Sequence, residues 1–229
     1  MPEKTAALAP FANPTFRTIW IASLASYFGG LIQAVGAAWM MTALSTSEGM
    51  VALVQASTAL PIMLFSLIAG ALADNFNRRT LMLTAQGFML VVSIALTVFA
   101  YLGLLTPWLL LAFTFLIGCG TALNNPSWQA SVGDIVPREI LPQAVTLNSV
   151  GFNITRSVGP AIGGAVVAAA GAAAAFAVNA ASYGALIFAL LRWKPEQGDD
   201  ALPRETLPQA LSAGFGYVAM SPNILNVLF

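Results

Sequence analysis

The sequence predicts an all-α membrane protein of six membrane-spanning helices with both termini in the cytoplasm, and three observations lead there. The first is composition. Of 229 residues, 58% are hydrophobic and only 8% are charged, and the mean hydropathy is +0.80. A soluble domain carries about 25% charged residues, so this chain could not cover its own surface in water. The second is run length. A bilayer core about 30 Å thick takes roughly 20 apolar residues per helix, and six runs are that long: about 18–43, 51–73, 80–103, 107–131, 142–169 and 172–191. The third is the placement of positive charge. Lys4, Arg17, Arg78, Arg79, Arg138, Arg192, Lys194 and Arg204 fall in the head, in alternate loops and after the sixth run, whereas 44–50, 104–106 and 170–171 contain no Lys or Arg. The positive-inside rule then puts both termini in the cytoplasm.

Residues 1–16 form a polar head with Pro2, Pro10 and Pro14. The run that follows is too long for a leader peptide, and no small-residue cleavage site closes it. Residues 17–192 are the six-helix bundle. Its connections are short, so neighbouring helices must be antiparallel. Residues 193–222 are a charged, proline-containing cytoplasmic linker, with a short amphipathic helix expected over 209–220. Residues 223–229, with Ile224-Leu-Asn-Val-Leu-Phe229, start another apolar run too short to cross a bilayer and read as the cut-off start of a seventh helix.

Composition also narrows the chemistry. Cys119 is the only cysteine and there is no histidine, which removes intramolecular disulfides, multi-cysteine metal sites and the commonest general base. No clustered carboxylates lie inside the runs. A membrane enzyme is therefore disfavoured, and no cofactor, metal or nucleic-acid partner is expected. The expected partners are the lipid bilayer and a small-molecule substrate.

Within the runs, Arg156 is the one charge placed well inside a span. Its cost there is about 2.5 to more than 10 kcal/mol. Two readings are open: it faces a polar cavity, with Asn153 one turn below on the same side, or it snorkels to the interface. Gln33, Gln55 and Asn179 serve equally well as interhelical glue or as substrate contacts. Asn124 joins Gln33, Asn153 and Arg156 as a cavity candidate. Trp20, Trp39, Trp108 and Trp193 read as interface anchors, and Cys119 as inert packing. Pro160 leaves the carbonyl of Arg156 without its helical partner, so a bend is expected there. Gly151, Thr155, Gly159 and Gly163 recur every four residues and make one smooth packing face. Between the second and third runs, Asp74, Arg78 and Arg79 can pair with one another or with a neighbouring helix end, and Asn77 tolerates a left-handed turn.

Several stretches resemble the major facilitator superfamily, in particular its enterobactin-exporter and macrolide-efflux branch. Asn13-Pro-Thr-Phe16-Arg17-Thr-Ile-Trp20 is similar to that branch's entry to helix 1. Gly70, Asp74, Arg78 and Arg79 match the loop 2–3 motif, with Asn75 in place of its Arg and Asn77 in place of its Gly. Val136-Pro-Arg138-Glu139 followed by Gln143-Ala-Val-Thr-Leu-Asn148 resembles loop 4–5, and Ser157-Val-Gly159-Pro160-Ala-Ile-Gly163-Gly164 resembles the exporters' helix 5 motif. The resemblance implies the N-terminal six-helix half of a twelve-helix fold, working as a secondary active transporter by alternating access, with export of an amphipathic small molecule such as a siderophore or drug. It also implies a bacterial inner-membrane location, and a partner in the missing C-terminal six-helix half or a second copy. It gives the loop 2–3 motif the role of a latch, where topology alone is the other reading. It gives Gly159 and Pro160 a leak-resistant seam, where packing alone is the other reading. Protons are the implied coupling ion, although the acid of helix 1 and the arginine of helix 4 found in some relatives are absent here. The competing reading is a non-transporting membrane module, or a half-transporter that needs a second half.

Overall fold

The computed structural model describes residues 7–194, apart from the side chains of Leu67 and Asp74. Every regular element among the described residues is a helix. α1 spans Pro14–Leu44, α2 Glu48–Asn75, α3 Arg78–Tyr101, α4 Pro107–Ile135 and α5 Leu141–Arg192, with 3-10 turns at Ala9–Ala12 and Arg138–Ile140. All five helices are long and apolar enough to cross a membrane. The linker and the start of a seventh helix expected over 193–222 and 223–229 lie outside the described residues, Trp193 and Lys194 excepted.

Side chains at the helix starts explain why the helices begin where they do. The Asn13 side chain accepts from the Thr15 and Phe16 amides at 2.9 and 3.1 Å, and Pro14 takes the first helical position, where no N–H is needed. The Asn13 Nδ2 donates to the carbonyl of Ile135 at 2.7 Å. Asn13 of the head is thus fastened to the end of α4, and α1 starts at Pro14, inside the expected head. Asn77 caps α3 by accepting from the Thr80 amide at 3.1 Å. Its φ of −61° and ψ of 114° are extended, which corrects the left-handed turn expected there: an amide at this position satisfies an orphan donor of the next helix. Thr106 and Pro107 start α4 in the same way.

α5 has 52 residues. Straight, it would be about 78 Å long, more than twice the bilayer core. It is not straight, because Gly171 has φ 80° and ψ 171° inside it, a conformation that glycine alone enters without steric cost. The contacts with α1 show that the chain reverses there. Gly151 faces Trp20 and Leu24, Gly159 faces Leu31, and Gly163 faces Ile32 and Val35, so the first arm runs parallel to α1. Beyond Gly171, Gly36 faces Ala172 and Ala175 while Gly29 faces Asn179 and Ser182, so the second arm runs back. Backbone dihedrals stay helical through Pro160, and the break falls at Gly171.

The predicted small-residue face of α5 is the one that packs: Gly151, Thr155, Gly159, Gly163 and Val167 are its buried residues in this region. A Cβ on Gly159 would lie 2.7 Å from Leu31 Cδ1, and one on Gly163 would lie 3.1 Å from the Ile32 Cα. Close packing of this kind holds helices together where lipid removes any hydrophobic preference for protein over solvent. Gly70 and Gly164 meet nothing within 4 Å, so no contact among the described residues requires glycine there. Helices α2 and α4 approach just as closely at Gly118, against Thr58 and Pro61.

Two of the expected interface tryptophans are packed instead. Trp193 is buried in the cluster of Phe16, Ile19, Trp128 and Leu190. Trp20 is half-buried, edge-on to Phe11 at 4.9 Å and against Gly151. Apolar packing claimed both rings because the head and the end of α5 close over this end of the bundle. Trp39 and Trp108 are exposed, as an interface position requires.

Candidate functional site

Half-way along the helices, all five elements wall a cavity of about 380 Å³. From α1 come Tyr27, Gly30 and Gln33, and from α2 Gln55 and Thr58. Helix α3 gives Gln86 and Met89; α4 gives Thr114, Thr121, Asn124 and Asn125. The two arms of α5 contribute Phe152, Thr155, Arg156 and Tyr183. The wall is mixed: aromatic faces alternate with amides and hydroxyls, and Tyr27 stands edge-on to Phe152 at 5.6 Å. This is the composition of a small-molecule site, mostly apolar with a few fixed polar groups.

Of the predicted cavity residues, Gln33, Asn124 and Arg156 line this one space and Asn153 does not. At 3.6 residues per turn, Asn153 lies about 60° to one side of Arg156, and Phe152 lies about 40° to the other. The wall turns toward Phe152 and Thr155, which leaves Asn153 outside it. Arg156 lies half-way along the first arm of α5, fifteen residues from Leu141 and fifteen from Gly171, about 22 Å of helix in either direction.

Behind the wall, polar side chains are tied into a buried network. The Asn179 amide donates to Gln33 Oε1 and to the Tyr183 hydroxyl at 3.0 Å, while Ser93 reaches Gln33 Oε1 and the Phe176 carbonyl at 3.3 Å each. Gln33 and Asn179 are therefore interhelical glue joining α1, α3 and the second arm of α5, and Gln33 also presents a face to the cavity. Ser57 and Thr114 join α2 to α4 at 2.6 Å. Other groups stay unsatisfied. The carbonyl oxygens of Gln86, Asn124 and Asn125 are buried with no hydrogen-bond partner, and all three residues line the cavity. Gln86, only 1% exposed, was not legible in sequence, because a single amide inside an apolar run looks like any interhelical glue.

At the end of the bundle that holds loops 2–3 and 4–5, the arginines of the loop 2–3 motif bind inside this chain. Arg78 pairs with Asp134 at 2.7 Å and donates to the Ala130 carbonyl at 2.8 Å. Arg79 donates to the carbonyls of Leu190 and Leu191 at 2.8 and 3.1 Å. Both guanidiniums sit at helix C-termini, where carbonyls lack helical partners and the dipole favours a cation. The Asp74 side chain lies outside the described residues.

A family described as transmembrane secretion effector, one branch of the major facilitator superfamily, matches residues 5–229. The chain belongs to this superfamily. Relatives of this superfamily member are transporters. It is 27% identical over 228 residues to the staphyloferrin A transporter of Staphylococcus aureus, covering 89% of this chain and 57% of that protein. It is 25% identical over 210 residues to the multidrug efflux pump Tap of Mycobacterium tuberculosis, covering 88% and 49%. It is 28% identical over 164 residues to an uncharacterized MFS-type transporter of Bacillus subtilis, covering 70% and 37%. The chain thus spans about half the length of the curated relatives it matches.

Proposed function

We propose that this membrane protein is the N-terminal half of a secondary active transporter, which exports an amphipathic small molecule across the bacterial inner membrane. The cavity carries the reading. It lies at mid-helix depth, where transporters that rock two repeats around a fixed site hold their cargo, and it combines aromatic faces with uncommitted amides. On this reading the chain crosses the membrane six times, counting the two arms of α5 separately, with both ends in the cytoplasm. The latter rests on the charge asymmetry of the loops. Covalent chemistry is not needed, and the chain is not an enzyme.

A half-transporter that needs a second half is favoured for residues 1–229 over a module that carries nothing. Helix α2 and the first arm of α5 leave most of their side chains uncovered, including Met63 at 75% and Leu64 at 63% exposure, and a second six-helix half would seat there. Arg78 and Arg79 then act as the fixed side of a latch whose Asp74 arm would reach across to that half. Protons remain the proposed coupling ion, with the coupling carboxylate in the second half.

The test is efflux of fluorescent amphipathic dyes from energised cells expressing the complete natural reading frame, beside cells expressing residues 1–229. Dye export that stops when the membrane is de-energised is the expected result for the complete frame. No export of anionic, neutral or cationic dyes would contradict the reading. Export by residues 1–229 alone would mean that two copies close one cavity.

A further inference from the structure

We infer that the cavity selects an anionic cargo rich in hydrogen-bond donors, and that Arg156 is its charge-recognising residue. This deepens the transport reading and rests on it for the direction of movement, but not for binding. Arg156 is the only charged residue among those lining the cavity, and it makes no ion pair or hydrogen bond with any described residue. A cation at mid-membrane depth is retained mainly where a partner or a water-filled space offsets its cost. The acids in residues 7–194 are Glu48, Asp74, Asp134 and Glu139, and every one lies at a helix end or in a loop. The partner therefore comes from outside this half, and the cavity wall shows what it brings.

Three residues of the same wall, Gln86, Asn124 and Asn125, carry buried carbonyl oxygens without a donor. A buried acceptor left unpaired costs about 1–3 kcal/mol. A carboxylate reaching Arg156 from another helix would satisfy the guanidinium and leave these three unsatisfied. A small molecule with an anionic group and hydroxyl or amide donors pairs with the guanidinium and, once those amide side chains turn toward it, with the three oxygens, while its apolar part lies against Tyr27 and Phe152. A cationic amphipath finds no counter-charge here and is repelled by Arg156. The chemistry recognised is thus a carboxylate or similar oxyanion on a donor-bearing, partly aromatic or aliphatic frame.

The experiment is fluorescence anisotropy of carboxyfluorescein and of ethidium with the complete natural protein in lipid nanodiscs, with empty nanodiscs as the blank. Carboxyfluorescein is expected to bind and ethidium to bind at least about tenfold more weakly. Arg156→Gln should weaken carboxyfluorescein about tenfold or more, the loss of one charge-assisted hydrogen-bonded contact, and Arg156→Lys should restore part of it. The thermal melting of each variant reports whether it is folded. Equal binding of both dyes, or carboxyfluorescein binding unchanged in a folded Arg156→Gln protein, would overturn the inference. Carboxyfluorescein that binds through Arg156 but is never exported would leave the anion site standing and remove the transport reading instead.

Discussion

Gly118→Ala is expected to lower the stability of the bundle by about 1–3 kcal/mol, the usual cost of overpacking a filled interior, and Gly118→Leu to abolish folding. A Cβ at this position would lie 2.6 Å from the Thr58 carbonyl oxygen and 2.9 Å from the Pro61 ring. The first is backbone and the second is a rigid ring, so neither can rotate away. Helices α2 and α4 would have to separate, and the 2.6 Å Ser57–Thr114 hydrogen bond one turn away would stretch with them. Two controls isolate the cause. Gly120→Ala meets the Met89 side chain, which is flexible and can move aside, so its cost should be smaller. Gly87→Ala meets nothing within 4 Å and should be neutral or slightly stabilising, since alanine is the better helix former. Thermal unfolding of the purified proteins in one lipid mixture ranks the three. Equal losses at 118 and 87 would mean that close approach at Gly118 does not hold these helices together.

Arg79→Ala should free the end of α5. One guanidinium satisfies the carbonyls of Leu190 and Leu191 in the last turn, and hydrogen bonds from a charged donor contribute about 1.5–3 kcal/mol when shielded. Partial exposure of the site places the effect at the low end of that range. Hydrogen exchange over 186–193 should accelerate about tenfold in Arg79→Ala, which corresponds to about 1.4 kcal/mol. Arg79→Lys should fall between, because an ammonium lacks the planar fork that meets two carbonyls together. Arg78→Ala should act on the end of α4 instead, with a smaller change, since its ion pair with Asp134 is 30% and 49% exposed and pairs of that kind contribute little. Unchanged exchange at the end of α5 in Arg79→Ala would leave that arginine with a purely topological role.

Much of this architecture can be read from residues alone, and the reason is local. Apolar runs of membrane length mark the helices. The expected connection at 170–171 coincides with the one non-helical residue inside α5, Gly171. The four-residue spacing from Gly151 to Gly163 marks the packed face because small residues at that interval share one side of a helix. The cavity is legible only where a residue contradicts its surroundings: a charge at Arg156 stands out in an apolar run, and so do Gln33 and Asn124. Gln86 and Asn125 do not, because their significance comes from being unpaired in three dimensions. Asp134 is fifty-six residues from Arg78, and nothing local announces that pairing. Asn153 and Asn77 mark two limits of local reasoning. A one-residue difference in helical phase moves a side chain out of a cavity, and an asparagine in a glycine's place found a capping role rather than the glycine's backbone conformation.

On the proposed function, the mid-helix cavity is a water-filled binding site rather than a packing gap between helices. Because Cys119 is the only cysteine, a Cys119→Ser protein gives a clean background for single-cysteine labelling with a small, charged, membrane-impermeant thiol reagent. Asn125→Cys on the cavity wall should react readily and be protected by carboxyfluorescein, whereas Val91→Cys on the outer face of α3, 67% exposed to lipid on this account, should stay unlabelled. Labelling at Val91 with none at Asn125 would contradict the account, because the cavity would then be closed to water and the bundle turned the other way in the membrane.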